Sequence, residues 1–203
     1  MKSINILVIS FAYKGVSIPL VWKVLSGKGN SHTKDRITLL KKVIRSIGKK
    51  QIDHILGDRE FVGEEWFNWL IDNKIWFAIR IKHDTHIKRE SFYPYPIPVR
   101  EVFKELTLHG NKVYSREFFW KDQKIYLAGS RSNKGLLLVM SNFFDQEVLN
   151  LYKKRWEIEN MFGCLKTKGF CLEATHLTKK KRIEKLFFIL TIAFCWCYKL
   201  GEL

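Results

Sequence analysis

At 203 residues the chain has room for one domain with its own core, or for one domain carrying a sizeable insertion. A composition of 46% hydrophobic and 28% charged residues excludes a disordered chain. The 36 Lys and Arg against 20 Asp and Glu give a net charge of +16 and imply a polyanionic partner, nucleic acid ahead of an anionic membrane surface, because the basic residues are spread along the whole length with no single amphipathic anchor.

"INILVISFAY" and "VSIPLVWKVL" read as two strands joined at Lys14-Gly15, a tight hairpin signal. A Gly/Asn/Ser loop follows, then Thr33 as an N-cap and a helix whose Ile37, Leu40, Ile44 and Ile47 recur at helical spacing up to Gly48. The apolar stretch from Ile52 to Leu56 predicts a buried strand that stops at Gly57-Asp58. A helix with Phe67 and Leu70 comes next, and "IWFAIRI" is a further strand. Alternating strands and helices define an α/β class with a mixed sheet.

From about His83 the texture changes. "SFYPYPIPV" is a proline-punctuated loop, and "KVYSREFFW", "QKIYLAGS" and "GLLLVMS" are β-like segments separated by turns, so residues 83–141 read as a β-rich insertion between 1–82 and 142–203. The remainder is helical: first the stretch around residues 152–166, then about Lys180 to Tyr198. The apolar run "LFFILTIAFCWCY" is shorter than the roughly 20 residues that span a bilayer, so it predicts a buried core helix. Cys164, Cys171, Cys195 and Cys197 have neither zinc spacing nor a secreted framework, and the N-terminus lacks a signal-peptide pattern, so a reducing cytoplasm without disulfides or zinc is expected. Trp120 and Trp156 could stack on unpaired bases, although core positions are the expectation for both.

The stretch "YKKRWEIENMFGCLK" carries the chemistry. On one continuous helix Tyr152, Arg155, Glu159 and Lys166 would fall within roughly 60° of one another, beside an apolar face of Leu151, Ile158, Phe162 and Leu165. A carboxylate flanked by cations suits a metal-assisted site on phosphate. The alternative is an ordinary wet helix face on which Arg155 and Glu159 form an i,i+4 pair. Asp58, directly after Gly57 at the end of a buried strand, stands where open α/β sheets place functional groups, or is a plain turn aspartate.

Tyr152-(2)-Arg155-(3)-Glu159-(6)-Lys166 resembles the Y-R-E-K signature of bacterial insertion-sequence DDE transposases of the insertion sequence four family. "GDREF" is similar to that family's second-aspartate segment, and the residues from "INILVIS" to "HTKDR" are similar to the region following its first aspartate. The resemblance implies an RNase H-like core with a β-rich insertion before the final catalytic helix, and a site of two Mg²⁺ ions for phosphodiester cleavage and strand transfer on double-stranded DNA. Carried over by position, Asp58 is the second acidic ligand and Glu159 the third. Tyr152, Arg155 and Lys166 contact phosphates, and Lys179, Lys180, Lys181 and Arg182 form a further phosphate-backbone patch.

No residue of this sequence matches the family's first aspartate. Asp35 opens a helix and Asp53 heads a strand. The expectation is therefore a truncated transposase, from a decayed element or a split reading frame, located in the cytoplasm at the nucleoid and able to pair as a homodimer in a synaptic complex. The alternative is a non-catalytic DNA-binding inhibitor of a full-length transposase.

Overall fold

A computed structural model describes residues 5–26, 29–90 and 95–201. The chain divides into two compact units, one of residues 1–49 and 154–203, the other of residues 50–153.

The first unit starts with strands β1 (Ile6–Tyr13) and β2 (Val16–Val24), paired antiparallel with Tyr13 opposite Val16. Lys14 (φ 45°) and Gly15 (φ 89°) both take positive φ, the primed-turn geometry that matches strand twist. A register shift at Ile9/Ser10 lets Pro19, which has no N–H to give, sit opposite Ser10. Helix α1 (Thr33–Ile47) follows. Thr33 is its first residue and not its cap: His32 occupies the N-cap with no side-chain hydrogen bond. The buried face is Arg36, Leu39, Leu40 and Val43, whereas Ile47, expected inside, is 45% exposed in the last turn.

Lys23 Nζ on β2 lies 2.6 Å from Asp35 Oδ1 on α1. The hydrogen bond from Lys23 is the main cause that holds the Asp35 carboxyl below its ordinary range. A depressed folded-state pKa contributes stability that is fully present above the unfolded value of about 4 and is lost as pH falls through the native value. Urea unfolding of the Asp35→Asn variant is therefore expected to show a shallower acid limb below about pH 4 than the wild type, with the difference between the two chains constant above it.

The C-terminal part of this unit breaks the single helix expected across residues 152–166. A 3₁₀ turn (Lys154–Trp156), helix α5 (Glu157–Gly163) and a π-turn (Cys164–Lys168) follow one another. Changes of helical pitch alter which residues share a face, so the 100° projection does not run through the whole stretch. The long helix α6 (Lys180–Gly201) then packs Phe187, Leu190 and Phe194 into a core shared with Met161, Leu165, Leu172 and Trp22. Asn160 Nδ2 donates to the Gly15 carbonyl at 2.9 Å and Tyr198 Oη donates to the Lys14 carbonyl at 2.8 Å, which tie α5 and α6 to the hairpin turn.

The second unit is built on a mixed sheet. Strand β3 (His54–Gly57) runs parallel to β4 (Trp76–Arg80), with helix α2 (Glu64–Asp72) between them in sequence. The short strands β5 (His86–Ile87) and β6 (Ile97–Pro98) pair with each other, and α3 (Val99–Val102) follows. Next come β7 (Asn111–Val113), β8 (Phe118–Trp120), β9 (Gln123–Ser132) and β10 (Gly135–Ser141). The sheet order is β3-β4-β10-β9-β7, with β8 also on β9. Strand β10 thus returns to pair with β4, and the β-rich segment continues the sheet that carries β3. Asn142 locks this return: its Oδ1 accepts from Phe77 N–H at 2.8 Å and its Nδ2 donates to the Ile75 carbonyl at 3.0 Å. Helix α4 (Val148–Lys153) lays Val148, Leu149 and Tyr152 over Ala78, Ala128 and Val139.

Candidate functional site

The first candidate constellation is the end of β3. The parallel register sets Gly57 opposite Ile79, so Asp58 emerges beside Arg80. A Cβ on Gly57 would lie 3.3 Å from Ile79 Cγ1 and 3.3 Å from Phe61 Cβ and Cδ2, and the missing side chain is what lets the strand end close against both. Asp58 caps the 3₁₀ turn Arg59–Phe61, its Oδ1 accepting from Arg59 N–H at 2.8 Å. The Asp58 side chain is 38% exposed, and Arg80 Nη1 stands 3.9 Å from Oδ1. An ion pair this open adds little stability. It does set a guanidinium fork next to a carboxylate, a pairing suited to phosphate oxygens. Sequence reasoning missed Arg80, where the only signal is a charge at the end of an otherwise apolar strand.

Tyr152, for which the resemblance implies phosphate contact, is buried in α4 with 1% exposure. Its hydroxyl donates to the Gly57 carbonyl at 3.1 Å. Two segments 95 residues apart, "GDREF" and the first residue of the four-residue pattern, therefore meet at the residue immediately before Asp58.

The second constellation belongs to the other unit. Glu159 lies in the first turn of α5, where a carboxylate complements the helix dipole. Its side chain is 50% exposed, and its Oε1 accepts from Arg155 Nη2 at 2.8 Å. The Arg155 guanidinium carbon also lies over the Trp156 ring, 5.4 Å from its centre. Trp156 itself is 53% exposed, which corrects the core expectation, whereas Trp120 is buried. Lys166 sits in the π-turn with Nζ 5.1 Å from the Phe162 ring centre.

Lys179, Lys180, Lys181 and Arg182 are exposed around the first turn of α6, and Lys180 Nζ contacts Ser26 Oγ. Cations at a helix N-terminus oppose the macrodipole, at a cost of about 0.3–1 kcal/mol each. An anion docked there would relieve both the cations and the helix end. A second basic surface escaped the sequence reading. Lys34, Lys41 and Arg45 lie within roughly 40° of one another on α1 at 100° per residue, Lys42 flanks them, and Lys34, Lys41, Lys42 and Arg45 all stand on the wet side of the helix, away from Leu39, Leu40 and Val43. The signal was available: no Asp or Glu occurs between Arg36 and Gln51.

Among the described residues no group of three or more His, Cys, Asp or Glu is gathered to hold a metal ion. Magnesium needs less from a protein, because one or two carboxylates suffice when water and substrate phosphates complete its octahedron. Two partly exposed carboxylates, each with an arginine at hand, fit that donor chemistry.

The strand before Asp58, expected to be buried over Ile52–Leu56, is the half-buried edge strand His54–Gly57 with only Gly57 fully inside, because β4 covers one side of it alone among the described residues. A parallel strand ending in a carboxylate and, in the other unit, an arginine-held glutamate, both in a strongly basic mixed α/β chain, are groups suited to phosphate chemistry. The chain belongs to the Transposase DDE domain family, whose pattern it matches over residues 4–196. Its mixed α/β architecture agrees with the RNase H-like fold of that family, whose members act on DNA with the help of divalent metal. A search of curated proteins found no match. Among the described residues no helix is long and apolar enough to cross a membrane.

Proposed function

We propose that this chain carries the second and third acidic positions of the catalytic core of a cut-and-paste insertion-sequence transposase of the insertion sequence four family, without a residue matching the family's first aspartate, and that it works with Mg²⁺ at the nucleoid on double-stranded element ends. The observation that carries this reading is the hydrogen bond from Tyr152, the first residue of the Y-R-E-K pattern, to the carbonyl of Gly57, the residue before Asp58. Asp58 and Glu159 are the carboxylates that would hold metal. When bound, the ions supply an activated water or 3′-hydroxyl and neutralise charge on the leaving oxygen. Arg155 orients the Glu159 carboxylate. Arg80, Lys166, the Lys179–Arg182 cluster and the basic face of α1 hold phosphates along the duplex, and Tyr152 acts through Gly57 to keep Asp58 at the strand end.

A second reading has its own observation. Neither β1 nor β2 carries an Asp or Glu, so the hairpin offers no third carboxylate. On that reading the chain binds DNA without cutting it and inhibits a full-length relative.

One experiment separates the two. The chain is incubated with labelled element-end duplex and Mg²⁺ or Mn²⁺, and nicking and binding are read together over a salt series. Nicking that disappears in Asp58→Ala and in Glu159→Ala supports the transposase core. Salt-dependent binding with no nicking supports the inhibitor. Binding that does not weaken as salt rises overturns both. Replacing Lys179, Lys180, Lys181 and Arg182 together by Ala is expected to flatten the salt dependence, by about 0.9 in log–log slope for each phosphate that the variant no longer neutralises.

A further inference from the structure

Strand alternation gathers aromatic rings at one end of the second unit's sheet. His54, Trp76 and Tyr126 each stand two residues before Leu56, Ala78 and Ala128, which belong to the core under α4, so all three lie on that same face. His54 is opposite Trp76 in the parallel register, and Ser141 is opposite both Ala78 and Tyr126. The loop after β10 adds two more rings. The Phe143 ring centre is 4.5 Å from that of His54 and 5.8 Å from that of Trp76, and Phe144 is 5.9 Å from Tyr126. Trp76 is 50% exposed and Phe144 42%. Apolar surface residues scattered singly need no explanation; a connected group of five rings does.

The surroundings of these rings run against the charge of the chain. Lys and Arg make up 36 of the 203 residues, yet none occurs from Gly135 to Tyr152, whereas Asp145 and Glu147 follow Phe144 within three residues. On the other flank Asp53, with its side chain 86% exposed, sets Oδ2 2.9 Å from His54 Nδ1. Lys124, two residues before Tyr126, is taken by Glu117 at 3.0 Å. Lys50 and Lys74 stand a few residues away in sequence, against three carboxylates.

We propose that this end of the sheet is a docking site for an arginine-bearing extended segment of a partner protein. Charge complementarity selects that occupant. Carboxylates beside exposed rings attract a cation and repel a polyphosphate, so the cluster does not extend the phosphate-holding surfaces of the chain. Arginine satisfies both halves of the site, because its planar guanidinium lies flat on an aromatic face and offers a fork of N–H donors to a carboxylate. Asp53 Oδ2 is used on His54, Asp145 Oδ1 accepts from Glu147 N–H, and Glu147 Oε2 accepts from Asn150 Nδ2; a carboxylate has a second oxygen with which to accept. A wholly apolar segment would strip water from these groups without pairing them. Size selects a short segment. At their exposures Trp76 and Phe144 present roughly 150–250 Å² between them, well under the approximately 800 Å² per side of two folded surfaces. Strand β3 runs from His54 toward Asp58, so the cluster and that carboxylate stand at opposite ends of one strand, and docking here leaves Asp58 uncovered. The proposal therefore holds whether the chain cuts DNA or only binds it.

The test is a titration of a labelled nona-arginine peptide with the full chain, without DNA, read by fluorescence anisotropy at about 0.15 M salt, where screening acts beyond roughly 8 Å. A chain of net charge +16 repels such a peptide in general, so affinity has to come from a local site. The expected result is saturable binding, at least about 3-fold weaker for nona-lysine, whose ammonium groups do not stack flat. Trp76→Ala, and Asp53→Asn combined with Glu147→Gln, are each expected to weaken nona-arginine binding at least about 3-fold, while Trp196→Ala, an exposed tryptophan of the other unit, leaves it unchanged. Circular dichroism of Trp76→Ala should match the wild type; if it does not, Phe144→Ala takes its place with the same loss expected. A wild type that does not bind the peptide, equal binding of nona-arginine and nona-lysine, or a loss no greater in these variants than in Trp196→Ala overturns the proposal. So does a fall in duplex or single-strand DNA affinity in a folded Trp76→Ala, which would make the rings a base-stacking surface, or a dimer in sedimentation equilibrium that Trp76→Ala dissociates, which would make them a contact between copies.

Discussion

Tyr152→Ala is expected to destabilise the chain by about 3–5 kcal/mol, the range for emptying the site of a large aromatic from a core, while Tyr152→Phe costs about 1 kcal/mol, one hydrogen bond. Tyr152 is among the largest fully buried side chains, packed in the cluster of Ala78, Ala128, Val139, Val148 and Leu149, with Leu56, Val113, Leu137 and Phe143 at its edge. Two of the neighbours are alanines, whose single methyl cannot swing in to refill the cavity. Urea unfolding measures both changes. The functional consequence separates the variants further. Phe keeps the ring packed and removes only the hydroxyl that meets the Gly57 carbonyl, so any loss of metal-dependent nicking in Tyr152→Phe beyond its small stability change reports on the placement of Asp58. If Tyr152→Ala unfolds at the same urea concentration as the wild type, α4 does not seal this core.

The second large effect falls at Gly129 on β9. A Cβ there would lie 2.5 Å from Phe103 Cε1 and 2.6 Å from its Cδ1, with Leu138 Cδ2 at 3.2 Å. Contacts under 3.0 Å force a neighbour to move, and this neighbour has nowhere to go. Phe103 is 1% exposed and its ring meets Tyr114 edge-on at 5.3 Å, while Tyr114 Oη donates to the Val102 carbonyl at 2.8 Å. Gly129→Ala is therefore expected to destabilise by about 1–3 kcal/mol through overpacking, and Gly129→Val by more. Phe103→Leu, destabilising in the wild-type background, should cost less in Gly129→Ala, because the shorter side chain makes room for the new methyl. A double-mutant cycle measures this coupling, and additivity of the two changes would place the clash elsewhere.

Much of the architecture was legible in the sequence because it depends on short-range periodicity. The hairpin at Lys14-Gly15, the strand ending at Gly57, the strand containing Phe77 to Ile79 and the segments that became β9 and β10 follow from alternation and from turn residues whose φ is fixed locally, whereas the single segment expected over "KVYSREFFW" is two short strands, β7 and β8, interrupted at residues 114–117. The four-residue spacing from Tyr152 to Lys166 pointed to the family, and the family match over residues 4–196 agrees at the level of a DDE transposase domain.

What failed from sequence failed for reasons of pitch and partnership. A projection at constant pitch cannot show that the backbone tightens to a 3₁₀ turn at Lys154–Trp156 and loosens to a π-turn at Cys164–Lys168. Tyr152, in α4 before that change, is taken into a core by the sheet it packs on, and Trp156, within the 3₁₀ turn, is left half outside. An apolar run likewise does not state which of its faces has a neighbour. The sequence of α6 is apolar nearly all round, and only the packing of Phe187, Leu190 and Phe194 against Met161, Leu165 and Trp22 decides that Ile192 and Trp196 are left exposed.

By itself, then, the sequence determined which residue types stand at which spacing: two carboxylates, an arginine four residues from one of them, and a basic chain that suits DNA. Only the tertiary structure decided that a tyrosine 95 residues away grips the carbonyl before Asp58, and that Arg80 stands beside that aspartate. The physical reason is that spacing along the chain is set by local geometry, whereas a hydrogen bond between distant segments exists only once the sheet register and the helix packed on it have brought them together.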